Sequence, residues 1–381
     1  MIKNNMQVID IFYVRYYKED GTTLSIGGIE TYITQLAILA HQLGFKARVF
    51  QFGYDDFVKN DEYATVYAVK IKGRKKFKQL YNKALATREK GNKYINIIAN
   101  DLLIPSFDVP NSIVIQHGIG FDYVTDRNIP DVFLFLYNTY TAFKRVWAMK
   151  HVDEAVCVDN NYICWYRTQR PRNRVKLTPI LNFAAIGPKE VNRSNEKVKI
   201  VFARRFVKIR GTRLFAPVAK RLLDEFSNIE ITFAGGGPDE HYIKSVIGNN
   251  SRVNYTSYSS QDSLEFHQQF DIAVVPTLYS EGTSLSLLEA MSAHCAVVCT
   301  NIGGMTNIVL DEYNGLMVSP ESEEIYNAVK RLIDDSKLRE EISDKAYETV
   351  CKSFSLEKWK KEWTCVLTKK FNLISQCQKS V

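Results

Sequence analysis

Two carboxylates, Glu281 and Glu289, lie eight residues apart around the predicted start of a helix. An apolar run at Phe270–Pro276 predicts a strand before them, and Gly282 predicts the turn between strand and helix. The first backbone N–H groups of a helix have no partner inside the helix and carry partial positive charge, so they suit a phosphate. A phosphate beside two carboxylates that can bind hydroxyls is what a sugar nucleotide requires. The residues predicted to bind such a donor at this turn are Gly282, Thr283 and Ser284.

Two arginines, Arg205 and Arg210, follow a predicted strand at Lys199–Ala203. A transferase that uses a sugar nucleotide must stabilise the departing diphosphate, either with a divalent metal or with protein cations. The sequence contains no D-x-D ligand pair, and its cysteines and histidines show no metal-ligand spacing. Arginine stays charged and can donate two hydrogen bonds to phosphate oxygens. The sequence therefore predicts a site that needs no metal and no other cofactor. The plainer alternative is a pair of surface or salt-bridging arginines.

Two glycines and a histidine stand at other predicted strand ends, where open α/β sheets bind ligands. Gly27 and Gly28 separate the first predicted strand from a helix, and glycine there lets a ligand approach the backbone closely. His117 follows a predicted strand at Ser112–Gln116, and its position predicts a polar contact to substrate. The alternatives are a plain tight turn and a structural histidine.

Predicted strands and helices alternate in two rounds, which indicates two α/β domains with parallel sheets. The length of 381 residues agrees with this division, because two domains of roughly 150–200 residues are expected for such a chain. The polar segment Ala184–Lys197 contains Gly-Pro and has no periodicity, so it predicts the linker. We therefore expect a first domain at 1–185 and a second at 195–355. The last segment, at 356–381, is predicted to form a helix that packs on another part of the chain.

The positive charge of the chain is concentrated at Lys70–Lys93, which holds ten basic residues and one acid. Ten minus one gives +9, whereas the whole chain carries +8. The predicted partner is anionic, and the lack of a recognised nucleic-acid module disfavours nucleic acid. Because the segment is amphipathic, it is either a domain helix with a solvated lysine face or a surface for an anionic membrane or lipid-linked pyrophosphate. The residues predicted to lie on the acceptor side are Lys75, Lys76 and Lys78.

Further features bear on location. The N-terminus is typical of a first strand, not of a signal peptide. No run of about 18 apolar residues, the length that would span a membrane, occurs in the sequence. The longest apolar stretch, Val132–Tyr137, is expected to be buried. Seven cysteines without a C-x-x-C pair indicate reduced thiols. We expect a cytoplasmic protein, peripheral at the inner face of the cell membrane if the basic segment binds lipid.

Taken in order, these motifs resemble those of the retaining glycosyltransferases of family four. Glu281 and Glu289 match the E-x7-E element of that family. The segment F-A-R-R-F-V-K-I-R-G resembles its basic loop, with Arg205 and Arg210 on the two cationic positions. The resemblance covers the C-terminal half most specifically, and the N-terminal half matches more loosely. The glycine-rich strand end F-A-G-G-G-P adds two donor-binding residues, Gly235 and Gly236.

The resemblance implies a GT-B architecture, in which two Rossmann-like domains face each other across a cleft and the last helix crosses back to the first domain. It implies hexosyl transfer, with retention and without metal, from a nucleotide-diphosphate sugar such as a UDP-sugar. The acceptor would be a hydroxyl of a glycan or lipid-linked molecule in polysaccharide or glycolipid synthesis. Glu289 would bind the ribose hydroxyls and Glu281 the transferred sugar. The residues implied to be catalytic are Glu281, Arg205, Arg210 and His117, and those on the donor side of the first domain are Gly27 and Gly28.

Other functions remain open from the residues. Paired carboxylates also occur in glycosidases, but neighbouring cations are expected to keep both carboxylates ionised, which disfavours a general acid. A nucleotide-sugar epimerase would act on the donor without an acceptor, and a phosphorylase would need a pyridoxal lysine that we cannot place. A non-catalytic subunit that only binds sugar nucleotides is the alternative outside enzymes.

Overall fold

The computed structural model describes residues 6–25, 27–73, 75–119, 130–169, 175–188, 191, 196–259, 261–279 and 281–379. Parts of the predicted linker, residues 189–190 and 192–195, lie outside the described residues.

The first domain is built on an eight-stranded sheet. Its strands are β1 Gln7–Phe12, β2 Lys46–Gly53, β3 Phe57–Asn60, β4 Ala64–Lys70, β5 Lys93–Ile98, β6 Ser112–Gln116, β7 Glu154–Cys157 and β8 Lys176–Pro179. Their order across the sheet is β3-β4-β2-β1-β5-β6-β7-β8, and the pairs are parallel except β3 with β4. The α-helices are α1 Gly28–Gln42, α2 Lys76–Ala86, α3 Asp131–Ala148 and α4 Asn160–Gln169, with short 3-10 turns at Asp101–Leu103 and Met149–His151.

The second domain is built on a six-stranded parallel sheet. Its strands are β9 Val198–Ala203, β10 Ile229–Ala234, β11 Val253–Thr256, β12 Ile272–Val275, β13 Ala296–Thr300 and β14 Leu316–Val318, in the order β11-β10-β9-β12-β13-β14. The α-helices are α5 Thr212–Glu225, α6 Glu240–Ile247, α7 Ser263–His267, α8 Leu285–Ser292, α9 Ser322–Asp334 and α10 Ser336–Ser353, with 3-10 turns at Lys208–Arg210 and Gly303–Asn307.

The sequence patterns have a direct physical cause in this architecture. Helices cover both faces of a parallel sheet, so central strands are apolar throughout: β13 is buried at every residue. Helix α1 instead buries one stripe, which includes Ile33, Leu36 and Ala40. In both sheets the strand order reverses at the first strand of the domain, since β1 lies between β2 and β5 and β9 between β10 and β12. Crevices at such reversals are where open α/β sheets bind ligands.

The last helix, α11 Leu356–Lys379, returns to the first domain. Trp359 and Trp363 are fully buried there, and the Trp363 indole Nε1 donates a hydrogen bond of 2.7 Å to the Tyr32 hydroxyl. Backbone hydrogen bonds join Ala184 to Phe354 and Leu356 at the crossing point. The predicted fold class, two Rossmann-like α/β domains with a C-terminal helix that crosses back, is therefore confirmed.

One prediction about burial is wrong. The stretch Val132–Tyr137 lies on α3 at the surface, where Val132 is 67% exposed and Phe135 is 68% exposed. The buried residues near the other end of this helix are Val146, on α3, and Met149, in the 3-10 turn that follows. The apolar stretch lies beyond the part of the helix that reaches the core, so its hydrophobicity does not bury it.

Candidate functional site

A cavity of about 440 Å³ lies between the two domains at the carboxyl ends of their sheets. This volume suits a small-molecule ligand. The cavity brings together almost all the residues that the sequence singled out: Gly27, Gly28, His117, Arg205, Arg210, Gly235, Glu281, Gly282, Thr283, Ser284 and Glu289. Gly236 does not line the cavity, and neither do the exposed lysines on and beside α2, namely Lys75, Lys76 and Lys78.

An arginine that the sequence reading missed, Arg204, is central to the site. It follows β9 directly, is 8% exposed, and donates a hydrogen bond of 2.6 Å from Nη2 to Oε1 of Glu281. Its Nη1 donates to the Thr277 hydroxyl, which in turn donates a 3.0 Å hydrogen bond to the same carboxylate oxygen. Arg210 forms an ion pair with Oε2 of Glu281. The signal in the sequence was the position of Arg204 at the strand end, one residue before Arg205.

The arginines make the cavity cationic. Burial lowers the pKa of Arg204 to about 10, and burial together with the neighbouring Arg204 and Arg205 lowers the pKa of Arg210 to about 9. Both guanidiniums therefore remain charged at neutral pH. A guanidinium held at the end of a parallel strand can offset negative charge on a ligand without reorganising.

Two helix N-termini face the same cavity. Helix α8 begins at Leu285, and α1 begins at Gly28, and neither has a side-chain hydrogen bond at its N-cap in the described structure. Both starting residues line the cavity. The partial positive charge of two helix ends therefore adds to that of the arginines, an arrangement that suits a diphosphate.

Glu289 differs from Glu281 in its surroundings. It lies on α8 and lines the cavity, and burial raises its pKa, while the Ser263 hydroxyl acts in the opposite direction. Glu281, by contrast, pairs directly with Arg204 and Arg210. Tyr258 lines the cavity near Glu289, and its ring stacks on Phe266 with 4.3 Å between the centroids. A ring in that place offers an apolar wall beside a carboxyl group that can bind hydroxyls.

His117 is neutral and has a defined tautomer. Its Nε2 lies 2.9 Å from the carbonyl oxygen of Ala99, and because a carbonyl only accepts, Nε2 carries the proton. Burial lowers the pKa of His117 to about 4, while its hydrogen bond to Ala99 acts the other way. The remaining ring nitrogen, Nδ1, is then an acceptor, and His117 lines the cavity. It is suited to receive a hydrogen bond from a ligand hydroxyl.

The domains meet closely beside the cavity. The Gly282 amide donates a 3.1 Å hydrogen bond to the carbonyl of His117, and Asn182 donates a 2.6 Å bond to the carbonyl of Thr283. A Cβ on Gly118 would lie 2.8 Å from the Glu281 carbonyl carbon, so this approach requires glycine. Asn182 was not predicted as a site residue, because its role depends on the way the two domains meet.

The described residues contain no group of three or more His, Cys, Asp or Glu side chains that could hold a metal ion. No helix in the described part of the chain is long and apolar enough to cross a membrane.

Two Rossmann-like domains that face each other across a cationic cleft, with a last helix returned to the first domain, define a protein of the GT-B architecture. Within it, residues 186–349 match the family described as Glycosyl transferases group 1. That match covers most of the second domain, where the arginines and both carboxylates lie.

Curated relatives support this family. An uncharacterized glycosyltransferase of Methanocaldococcus jannaschii is 23% identical over 342 residues, which are 87% of this chain and 92% of that protein. A lipopolysaccharide 1,2-N-acetylglucosaminetransferase of Salmonella typhimurium is 26% identical over 44% of this chain and 47% of its own length. The matches to the first two curated relatives span less than half of those proteins, 44% and 46%.

Solved structures share the fold over nearly the whole chain. A sucrose-phosphate synthase from Thermosynechococcus elongatus superposes with a TM-score of 0.73 at 15% identity, covering 96% of this chain and 100% of that one. Anabaena HepE, in complex with UDP and glucose, gives 0.69 at 13% identity, with coverage of 96% and 100%. These similarities show the GT-B fold.

Proposed function

We propose that the protein is a glycosyltransferase that moves a sugar from a nucleotide-diphosphate sugar to an acceptor hydroxyl, with retention at the anomeric carbon. One observation carries the proposal: Arg204, Arg210 and Glu281 form a paired cluster at the helix start of α8, inside the cleft of a GT-B protein. Cations in this position suit a departing diphosphate, and a carboxylate beside them suits the hydroxyls of the transferred sugar.

The leaving group is stabilised by protein charge in this proposal. Arg204, Arg205 and Arg210 offset the diphosphate charge together with the N–H groups at the start of α8, so no metal is required. Retention follows if the acceptor hydroxyl attacks from the face that the diphosphate leaves, through an oxocarbenium-like path. A donor phosphate oxygen takes the proton of the acceptor, and the protein needs no nucleophile of its own.

The remaining residues orient the substrates. Glu289 binds the ribose hydroxyls, and Tyr258 lies beside the base end of the nucleotide. Glu281 binds hydroxyls of the transferred hexose, and His117 receives a hydrogen bond through Nδ1 from the opposite side of the cleft. Gly27 and Gly28 leave room for the ligand at the start of α1. The HepE structure, with UDP and glucose, makes UDP-sugars the first donors to test.

The acceptor is a glycan or a lipid-linked molecule, and the setting is synthesis of a cell-surface polysaccharide or glycolipid. The name of the Salmonella typhimurium relative, a lipopolysaccharide transferase, supports this class. In this proposal the protein is cytoplasmic and peripheral at the membrane, with Lys75, Lys76 and Lys78 on the side that meets anionic lipid.

The test is transfer and hydrolysis of UDP-, GDP- and ADP-sugars, with the anomeric configuration of the product read by NMR. Glu281→Gln should lower kcat/KM by about 100-fold or more, because a group that orients the reacting sugar is lost. Glu324→Gln, on the exposed side of α9, is the matched control and should leave turnover unchanged. Unchanged turnover in Glu281→Gln would reject the assigned role.

The same experiment separates the alternatives. Donor isomerisation without an acceptor would replace the proposal by an epimerase. Tight nucleotide binding without turnover on any acceptor would replace it by a non-catalytic binding protein. Loss of activity in EDTA that Mg²⁺ or Mn²⁺ restores would reject metal independence while keeping the transferase.

A further inference from the structure

Helix α3 carries a continuous apolar face that points away from the protein. Five side chains at helical spacing form its centre, and all are between 49% and 67% exposed: Val132, Leu136, Tyr140, Phe143 and Trp147. Phe133 and Tyr137 flank them, at 62% and 61% exposed. Residues at i, i+4, i+8, i+11 and i+15 share one side of a helix, so these rings form one strip. We refer to these seven residues as the outer face of α3.

The opposite side of the same helix is the one that meets the protein. Asn138, Thr141 and Ala142 lie on that side and are only partly exposed, and Val146, beside Phe143 near the C-terminal end of the helix, is buried. Arg145 reaches inward to Asp101, with Nη1 3.9 Å from Oδ2. A helix on a water-facing surface normally turns its polar side outward, whereas α3 turns its apolar side outward. A contiguous exposed apolar patch is typical of an interaction surface.

The border of this face is basic. Apart from its first residue, Asp131, the helix contains no acidic residue, and Lys144 lies exposed on it. Lys150 follows the helix and places its Nζ 4.3 Å from the centroid of the Trp147 ring. Aromatic rings with lysines at their edge are the composition of segments that lie at a membrane interface.

The basic helix α2 packs on the same side of the first sheet as α3, since both contribute residues to one buried cluster. Its apolar side packs on the segment that links β5 to β6, through contacts of Phe77 and Tyr81 with Phe107. Arg145 of α3 reaches Asp101 in that same linking segment, so α2 and α3 both contact this segment. The lysines of this neighbourhood that remain exposed are Lys75, Lys76 and Lys78.

We propose that the outer face of α3 is a membrane-docking surface that places its rings in the headgroup and upper acyl region of an anionic bilayer. The lysines around α2 contact the headgroups. A second copy of the chain fits less well, because a symmetric contact through this face would bring the two lysine borders together. The inference goes beyond the transfer reaction, and it rests on exposed side chains outside the cleft.

Sedimentation with vesicles tests the proposal without donor or acceptor. We expect the protein to bind phosphatidylcholine vesicles that contain about 30% phosphatidylglycerol and to bind pure phosphatidylcholine much more weakly. The double variant Tyr140→Ser/Phe143→Ser should bind about tenfold more weakly, since two rings no longer enter the interface. Leu310→Ser/Tyr313→Ser removes two apolar side chains that are 65% and 50% exposed in the second domain, and it should bind like the wild type.

A second measurement reports insertion directly. The chain has four tryptophans. Trp147 is 49% exposed, Trp165 is partly buried on α4, and Trp359 and Trp363 are buried, so quenching of tryptophan fluorescence by brominated lipids should come mainly from Trp147. Trp147→Phe should remove most of the quenching while vesicle binding persists. Replacing Lys75, Lys76 and Lys78 with Gln should weaken binding to anionic vesicles. The fluorescence quenching of the protein that still binds should be unchanged.

Equal vesicle binding by Tyr140→Ser/Phe143→Ser and wild type would overturn the proposal. So would a wild-type dimer in solution that this double variant dissociates, because the face would then be an interface between copies. Transfer to a soluble acceptor is measured separately. Loss of vesicle binding with intact transfer, or the reverse, therefore assigns failure to one proposal and not the other.

Discussion

At the scale of single residues, the site depends on which arginine reaches into the cleft. Arg204 is buried and bound to both Thr277 and Glu281, whereas Arg205 is exposed at the edge of the cavity. The sequence pattern predicts Arg205 and Arg210 as the cationic site residues, because a pattern alone does not distinguish two adjacent arginines in a loop. Both arginines follow Ala203, the last residue of β9, so the path of the chain after the strand decides which of them points inward.

This difference predicts unequal effects of the same substitution. Arg204→Lys should lower kcat/KM by about tenfold or more. Lysine carries its charge on one nitrogen, so it cannot contact Thr277, Glu281 and a phosphate at once as the planar guanidinium can. Arg205→Lys should cost less than about threefold, since charge alone suffices at an exposed position. Both are measured by donor turnover and by calorimetric binding of the nucleoside diphosphate. Arg221→Lys, on the surface beside Glu323, is the control, and a larger loss in Arg205→Lys would reverse the assignment.

At the scale of secondary structure, the loop before α8 is held by contacts from the other domain. The Gly282 amide binds the His117 carbonyl of the first domain, and within the second domain the Gly304 amide binds the Glu281 carbonyl at 2.8 Å. Gly118, which follows β6, has a φ of 106° and leaves no room for a side chain against this loop. The position of Glu281 in the cleft is therefore set by backbone of the first domain as much as by α8.

Gly118→Ala is predicted to impair activity through this contact. The added methyl group would lie 2.8 Å from the Glu281 carbonyl carbon, so the loop that carries the carboxylate must move. A shift of about 1 Å in an orienting group can lower kcat/KM by about 100-fold. The control is Gly248→Ala, where φ is 70° but no atom lies within 4 Å of the new Cβ. It imposes a similar backbone cost of about 1 kcal/mol on stability and should leave turnover unchanged. Equal turnover in both variants would show that the loop position does not matter.

At the scale of the whole molecule, the sequence predicted the two rounds of α/β alternation because central parallel strands are apolar throughout. β6, for example, spans Ser112–Gln116 as expected. It did not predict how the domains meet. Asn161 binds the Gly303 carbonyl at 2.9 Å, and Asn307 binds Asp159 at 2.7 Å, across the cleft. Such pairs are distant in sequence and carry no local pattern. The exposure of the outer face of α3 was not predicted for a related reason. The spacing of apolar residues predicts that a helix has an apolar face, but not whether another part of the protein covers that face.

Each domain also contains a histidine that is kept neutral by burial, and this predicts how stability depends on pH. Burial lowers the pKa of His117 and of His267 to about 4. In the unfolded chain a histidine has a pKa of about 6.5. As the pH falls below 6.5, the two histidines become protonated in the unfolded state but stay neutral in the folded state. The stability present above pH 6.5 is therefore lost progressively towards pH 4.

The expected result is a fall in the thermal midpoint between about pH 7 and pH 5, steeper in wild type than in the double variant His117→Gln/His267→Gln. Each single variant should flatten part of the slope, since the two histidines lie in different domains and act independently. His241→Gln, at an exposed position on α6, should keep the wild-type slope. Calorimetric melting over this pH range measures all five proteins. If the double variant loses stability as steeply as the wild type, the two buried rings are not the groups that couple folding to protonation.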